Sequence, residues 1–182
     1  MKRVIFLHGV GSSGAAMQPL ADAVALAVPA HCPDGPEAFN QGRQWFSIMG
    51  VSEENRPGRV AAALPAFTDI VSSYGDPRDS LLIGFSQGAI MALHAVAAGL
   101  PAAGVIALSG RLAGPVPPRA GWPAITLLHG SADPMMPPAV AQATEAWLRD
   151  AGADAQLTIF EGLGHSVDAR TVAAIRAAAA AL

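Results

Sequence analysis

Gly84-Phe85-Ser86-Gln87-Gly88, His129-Gly-Ser-Ala-Asp133-Pro and Leu163-Gly-His165-Ser-Val hold, in that order, a hydroxyl, a carboxylate and an imidazole. A serine hydroxyl is a poor nucleophile near neutral pH. It needs a general base, and the base needs an orienting carboxylate. Ser86 lies in G-x-S-x-G, where the flanking glycines remove Cβ atoms that would collide in a tight strand-to-helix turn. A serine that merely caps a helix would need neither glycine. His165 is the one histidine beyond the last expected strand; His8, His31 and His94 come too early, and His129 sits at a strand end. Asp133 is the best-placed acid, although an Asp before Pro134 also suits an ordinary turn. Glu145 and Asp150 fall on an amphipathic helix, Asp154 in the turn after it, and Glu161 too near His165. The order serine, acid, histidine is one in which such triads occur.

A second glycine turn, His8-Gly-Val-Gly-Ser-Ser-Gly14, follows the apolar run Val4–Leu7. Gly9, Gly11 and Gly14 satisfy G-x-G-x-x-G, the dinucleotide fingerprint, with Asp34 or Glu37 available as its downstream acid. The same turn could instead direct backbone N–H groups at a developing oxyanion. A dinucleotide site would leave Ser86, Asp133 and His165 unexplained, and a P-loop fails because no Lys-Ser/Thr pair follows Gly14. The oxyanion reading accounts for both glycine turns, with Val10 N–H and Gln87 N–H as the two donors.

These residues must be carried by elements of matching period. Val4–Leu7, Leu81–Phe85, Val105–Leu108 and Ile125–Leu128 are short and continuously apolar, as parallel strands buried on both faces are. Gln156–Phe160 is a mixed strand, and a short strand is possible near Val28–Cys32. Helical spacing predicts helices over Met17–Val28, Arg59–Tyr74 (bent at Pro65), Gln87–Ala98, Pro138–Ala151 with Gly152 at its C-terminus, and Asp168–Leu182 with Ser166 as N-cap. Alternation of the two predicts an α/β protein: a mostly parallel central sheet with helices on both faces. Residues 33–58 and 110–123 fall outside the pattern.

The 182 residues predict a single domain, 1–182, with 52% hydrophobic residues to fill layers on both sides of a sheet. A net charge of −3 with no basic stripe argues against nucleic acid. The lone Cys32 rules out an internal disulfide and disfavours a thiolate metal site. No apolar run reaches the ~18 residues of a membrane span, so no stable membrane anchor is expected. After Met-Lys-Arg, His8 interrupts the hydrophobes well short of the roughly 7–15 residues of a secretory core. The expected location is cytoplasmic.

With these residues in hand, the chain resembles the carboxylesterase/phospholipase family of α/β-hydrolases, which includes acyl-protein thioesterases. The motifs run in the family's order over nearly the whole length: FLHGVGSSG, CPDGP, GRQWFSI, GFSQGAIMAL, ALSG, HGSADPMMP and GHSV. The resemblance implies an α/β-hydrolase fold without a large lid, Ser86, Asp133 and His165 as triad, and Val10 and Gln87 as backbone donors. No metal or cofactor is implied. Ser12, Ala89, Met135 and Met136 depart from residues common in the family without removing a catalytic group. Trp45, Phe46, Met135 and Met136 are apolar residues near the expected mouth, suited to a substrate pocket or equally to ordinary core. The expected activity is hydrolysis of carboxylic esters of small or acyl-chain substrates through an acyl-enzyme. Thioesters and lysophospholipids are alternatives within that class. The alternative of another class is a hydrolase-fold protein that binds a small ligand without turnover.

Overall fold

The computed structural model describes residues 1–182. In chain order its elements are β1 (Arg3–Leu7), α1 (Gln18–Val24), β2 (Ala30–His31), β3 (Glu37–Phe39), β4 (Gly42–Gln44), α2 (Arg56–Ser73), β5 (Ser80–Phe85), α3 (Gln87–Ala97), β6 (Gly104–Leu108), β7 (Ala124–Gly130), α4 (Pro138–Asp150), β8 (Ala155–Phe160) and α5 (Ala169–Ala180). Six strands form one sheet in the order β2-β1-β5-β6-β7-β8, and every neighbouring pair is parallel.

The continuous apolar runs are explained by what lies on each side of this sheet. Val4 and Phe6 of β1, with Leu81 and Ile83 of β5, pack under α1 and α5 against Val24 and Ile175. Ile5, Leu7 and Leu82 face the other way, toward Phe67 and Val71 of α2 and Leu93 of α3. A strand buried on both faces has no polar side to alternate with, so its sequence reads as apolar throughout.

Strand order fixes where a ligand can enter. From β1 the chain moves outward to β2, then returns across β1 to place β5 on its other side. The connections leaving the carboxyl ends of β1 and β5 therefore diverge, opening a crevice between them. The loop at Gly9–Gly14 and the turn at Ser86 are the two segments that leave those ends.

Several local features differ from the sequence-based expectation. α1 stops at Val24 rather than Val28 because Ala25 turns into the left-handed region at φ 49°, and Arg176 donates to the freed carbonyls of Ala23 and Val24. α2 begins three residues early, at Arg56, and continues through Pro65. Pro65 is exposed, as is Ala61, whose carbonyl loses its helical donor, so solvent can replace that bond. The N-cap of α5 is Asp168, not Ser166. Asp168 accepts from Thr171 N–H at 3.0 Å while Thr171 Oγ1 accepts from Asp168 N–H at 3.2 Å, a reciprocal capping box. Within 33–58 lies a hairpin, β3 and β4, whose turn holds Asn40 at φ 52°. No helix is long and apolar enough to cross a membrane.

Candidate active site

Ser86 sits between β5 and α3 at φ 52°, ψ −113°, a conformation that costs a residue with a Cβ about 1–3 kcal/mol and persists only where its surroundings impose it. The surroundings do so by close approach. A Cβ on Gly84 would stand 2.5 Å from Ala89 N, and one on Gly88 would overlap the Leu7 carbonyl of β1. The turn is locked further by Ser86 N–H donating to Leu108 O at 2.9 Å. The Ser86 side chain does not cap α3 and makes no hydrogen bond within the protein. Gln87 is the first helical residue, where a backbone N–H has no intrahelical acceptor.

Asp133 follows β7 and is 5% exposed. Its Oδ1 accepts from Met135 N–H and Met136 N–H, each at 2.9 Å, and its Oδ2 accepts from His165 Nδ1 at 2.7 Å. Burial by itself pushes this carboxyl up. The His165 bond and the Met136 and Met135 N–H groups outweigh it and hold the group ionised, below the usual Asp range. Since a carboxylate only accepts, His165 carries its proton on Nδ1 and turns a lone pair on Nε2 away from Asp133. His129, 2% exposed, donates from Nε2 to Met136 O at 2.7 Å and lies 3.6 Å from Asp133 Oδ2. It ties down the loop that presents the acid.

Gly9, Val10, Ser86, Gln87 and His165 line one cavity of about 1080 Å³, and Val10 N–H has no acceptor within the protein. The Ser86 hydroxyl and His165 Nε2 share this space without a direct hydrogen bond, a looseness common before substrate binds. Most other lining is apolar: Met17, Leu20 and Val172 of the α1–α5 wall, and Phe46, Ile48 and Ile90 opposite.

Of the four expected pocket residues, Phe46, Met135 and Met136 line the cavity, Met135 being 72% exposed. Trp45 does not. It is 1% exposed, donates from Nε1 to His8 O at 2.8 Å and packs edge-on to Phe67 at 5.4 Å, so it is core. Residues 110–123 contribute nothing to the cavity wall. Leu112 N–H and Ala113 N–H instead pin that loop to Thr144 Oγ1 and His94 Nε2.

Sequence reasoning missed the residues that hold the two glycine turns together. His8, fully buried, donates from Nδ1 to Gly9 O at 2.7 Å and accepts Gly35 N–H on Nε2 at 2.8 Å. The Gln87 side chain accepts Trp45 N–H and donates to Phe46 O. Arg43 backbone pairs with Gly11 and Ser12. Both acids that might have bound a ribose are otherwise engaged: Asp34 accepts Gly14 N–H at 2.7 Å, and Glu37 accepts from Gln44.

Residues 1–180 match the Phospholipase/Carboxylesterase family. The chain belongs to that family. It is 39% identical to esterase YpfH of Escherichia coli (strain K12), with 93% of this chain and 78% of that protein covered. It is 29% identical to acyl-protein thioesterase 1 of Neurospora crassa, covering 90% of this chain and 79% of that one. The crystal structure of esterase PE8 superposes with a TM-score of 0.84 at 28% identity, over 99% of this chain and 92% of that one. The fold is thus that of an α/β-hydrolase, and the protein is a carboxylic ester hydrolase.

Proposed function

We propose that this chain, as one α/β-hydrolase domain, cleaves carboxylic esters through an acyl-enzyme on Ser86. The observation that carries the reading is the 2.7 Å bond to a buried, ionised Asp133 from His165, which lines the same cavity as a serine strained into the left-handed region. His165 Nε2 takes the Ser86 proton as Oγ attacks the carbonyl carbon, and Asp133 stabilises the imidazolium. Val10 N–H and Gln87 N–H receive the oxyanion, each donor contributing about 2.7–4 kcal/mol to the barrier reduction. Collapse of the tetrahedral intermediate breaks the ester C–O bond, and the proton on His165 goes to the departing alcohol. His165 then deprotonates a water that attacks the acyl carbon, the acid is released and Ser86 regains its proton.

The apolar lining supports esters of small or medium acyl chains. The likeness to an acyl-protein thioesterase supports thioesters as a second substrate class, since the same steps expel a thiol. Intact-mass analysis after fluorophosphonate treatment tests the nucleophile without knowledge of the natural substrate. Wild type is expected to gain one adduct and Ser86→Ala none. A folded wild type that takes up no label would leave the alternative of a non-catalytic ligand-binding protein.

A further inference from the structure

One cation in the cavity wall has no part in these steps. Arg56 opens α2 and lines the same cavity as Ser86, Val10 and His165. The protein meets little of its donor capacity. Nη2 donates to Glu53 Oε1 at 3.1 Å, Nε is buried without an acceptor, and Nη1 has no acceptor either. Nη1 is not among the buried atoms, so it is a donor left open to whatever occupies the space beside it. Glu53 is shared, because Arg111 donates to its other carboxylate oxygen. Two guanidinium groups against one carboxylate leave this corner with an excess positive charge, and the N-terminus of the 18-residue α2 adds to it.

The neighbouring arginines show what a structural guanidinium looks like here. Arg59 donates to the carbonyls of Ser47 and Gly50, fastening the segment before α2. Arg176, in the opposite wall of the cavity, donates to the carbonyls of Ala23 and Val24. Both are occupied by backbone that needs a donor. The one carboxylate in the cavity lining, Asp168, is committed to the N-cap of α5 and to Arg170. Arg56 and Arg176 both line the cavity, but Arg176 meets two backbone carbonyls and Arg56 a single acceptor, so Arg56 keeps the larger share of unmet donors.

We propose that Arg56 receives a carboxylate carried by the substrate outside its reacting ester, so that the preferred substrates are half-esters of dicarboxylic acids or esters of hydroxy acids. The planar guanidinium suits a carboxylate, and a single excess charge matches a monoanion better than a phosphate monoester of charge about −1.5 to −2. Phe46 and Ile48 in the same wall give the intervening carbon chain an apolar surface. The proposal rests on Ser86 being the nucleophile.

The test compares kcat/KM for three esters: para-nitrophenyl butyrate, which is neutral; para-nitrophenyl hemiglutarate, with the anion on the acyl side; and para-butyryloxybenzoate, with the anion on the leaving group. In Arg56→Gln the ratio of anionic to neutral kcat/KM is expected to fall on the order of tenfold or more for one of the two anionic esters, through KM. Arg56→Lys is expected to recover part of that loss. Glutarate should inhibit butyrate-ester turnover competitively in wild type and more weakly in Arg56→Gln. A ratio unchanged for both anionic esters, with unchanged glutarate inhibition, overturns the proposal. Wild type that turns over none of the three esters and takes no fluorophosphonate brings down the Ser86 reading itself, and this proposal with it.

Discussion

The histidines on the acid side of the site and those on the elbow side live in opposite environments. His165 and His129 direct ring N–H groups at oxygen, the first at the Asp133 carboxylate and the second at Met136 O. His8 also donates, from Nδ1 to Gly9 O, but it and His94 differ in each receiving a backbone N–H on Nε2, from Gly35 and Ala113. A ring nitrogen that accepts an N–H cannot also carry a proton without losing that bond. Burial pushes His8 down and takes His94 to about 4, and the positive charge of Arg111 adds to the effect on His94. The acid-side pair holds the ionised Asp133 and the loop that carries it; the elbow-side pair is kept neutral to fasten loops. Residue type is the same in all four, and the partner decides the role.

Removing the partner from the acid side should have the largest effect. Asp133→Asn keeps the size of the side chain but loses the charge that fixes the His165 tautomer. A drop in kcat on the order of 10⁴-fold is expected, with the fold retained. Steady-state kinetics on a neutral ester, with a circular dichroism spectrum as control, measures it. Activity within tenfold of wild type would place His165 in the elbow-side class.

The elbow side is broken by acid instead. His94 binds its proton less readily in the folded protein than in the unfolded chain, so its contribution to stability is complete above pH 6.5. That contribution diminishes as the pH falls toward about 4 and is gone below it. The loss is about 3 kcal/mol, and His8 acts in the same direction. Urea unfolding midpoints between pH 7 and pH 4 should show the decline. His94→Gln, which retains an acceptor for Ala113 N–H but cannot ionise, should flatten it.

The smallest effect sharpens the comparison within the acid side. His129→Phe removes the donor to Met136 O without touching Asp133 directly. The loosened loop is expected to lower kcat about tenfold, near the net worth of one hydrogen bond, and leave KM nearly unchanged. A loss as large as that of Asp133→Asn would mean that His129 acts on the carboxylate itself across 3.6 Å.

Legibility in the sequence followed the same division between side chains and their partners. Strands buried on two faces announced themselves as apolar runs, and the tight turn at Ser86 by its two glycines, because sterics there leave little choice of residue. The end of α1 carried no such signal, since Ala25 takes a left-handed conformation that usually calls for glycine. The β3–β4 hairpin has three-residue strands with little alternation, too short for period to speak. Trp45 and Phe46 are adjacent and both buried in the core, and only the structure shows that Phe46 alone also lines the cavity. At α5, Asp168 and Thr171 had the spacing of a capping box, a better indicator than Ser166 alone. The unmet donors of Arg56 depend on how Glu53 is shared with Arg111, across 58 positions of chain. Such a relation has no local pattern.

The strap from Arg43 to Phe46 touches the supports of both glycine turns: its first residue pairs with Gly11 and Ser12, and its last two hold the Gln87 side chain. Neither glycine turn is therefore finished when its own strand is in place. Because these contacts span roughly 30 to 40 positions of sequence, they close late in folding, after the local helices and turns have formed. During refolding, secondary structure would return first and ester cleavage afterwards.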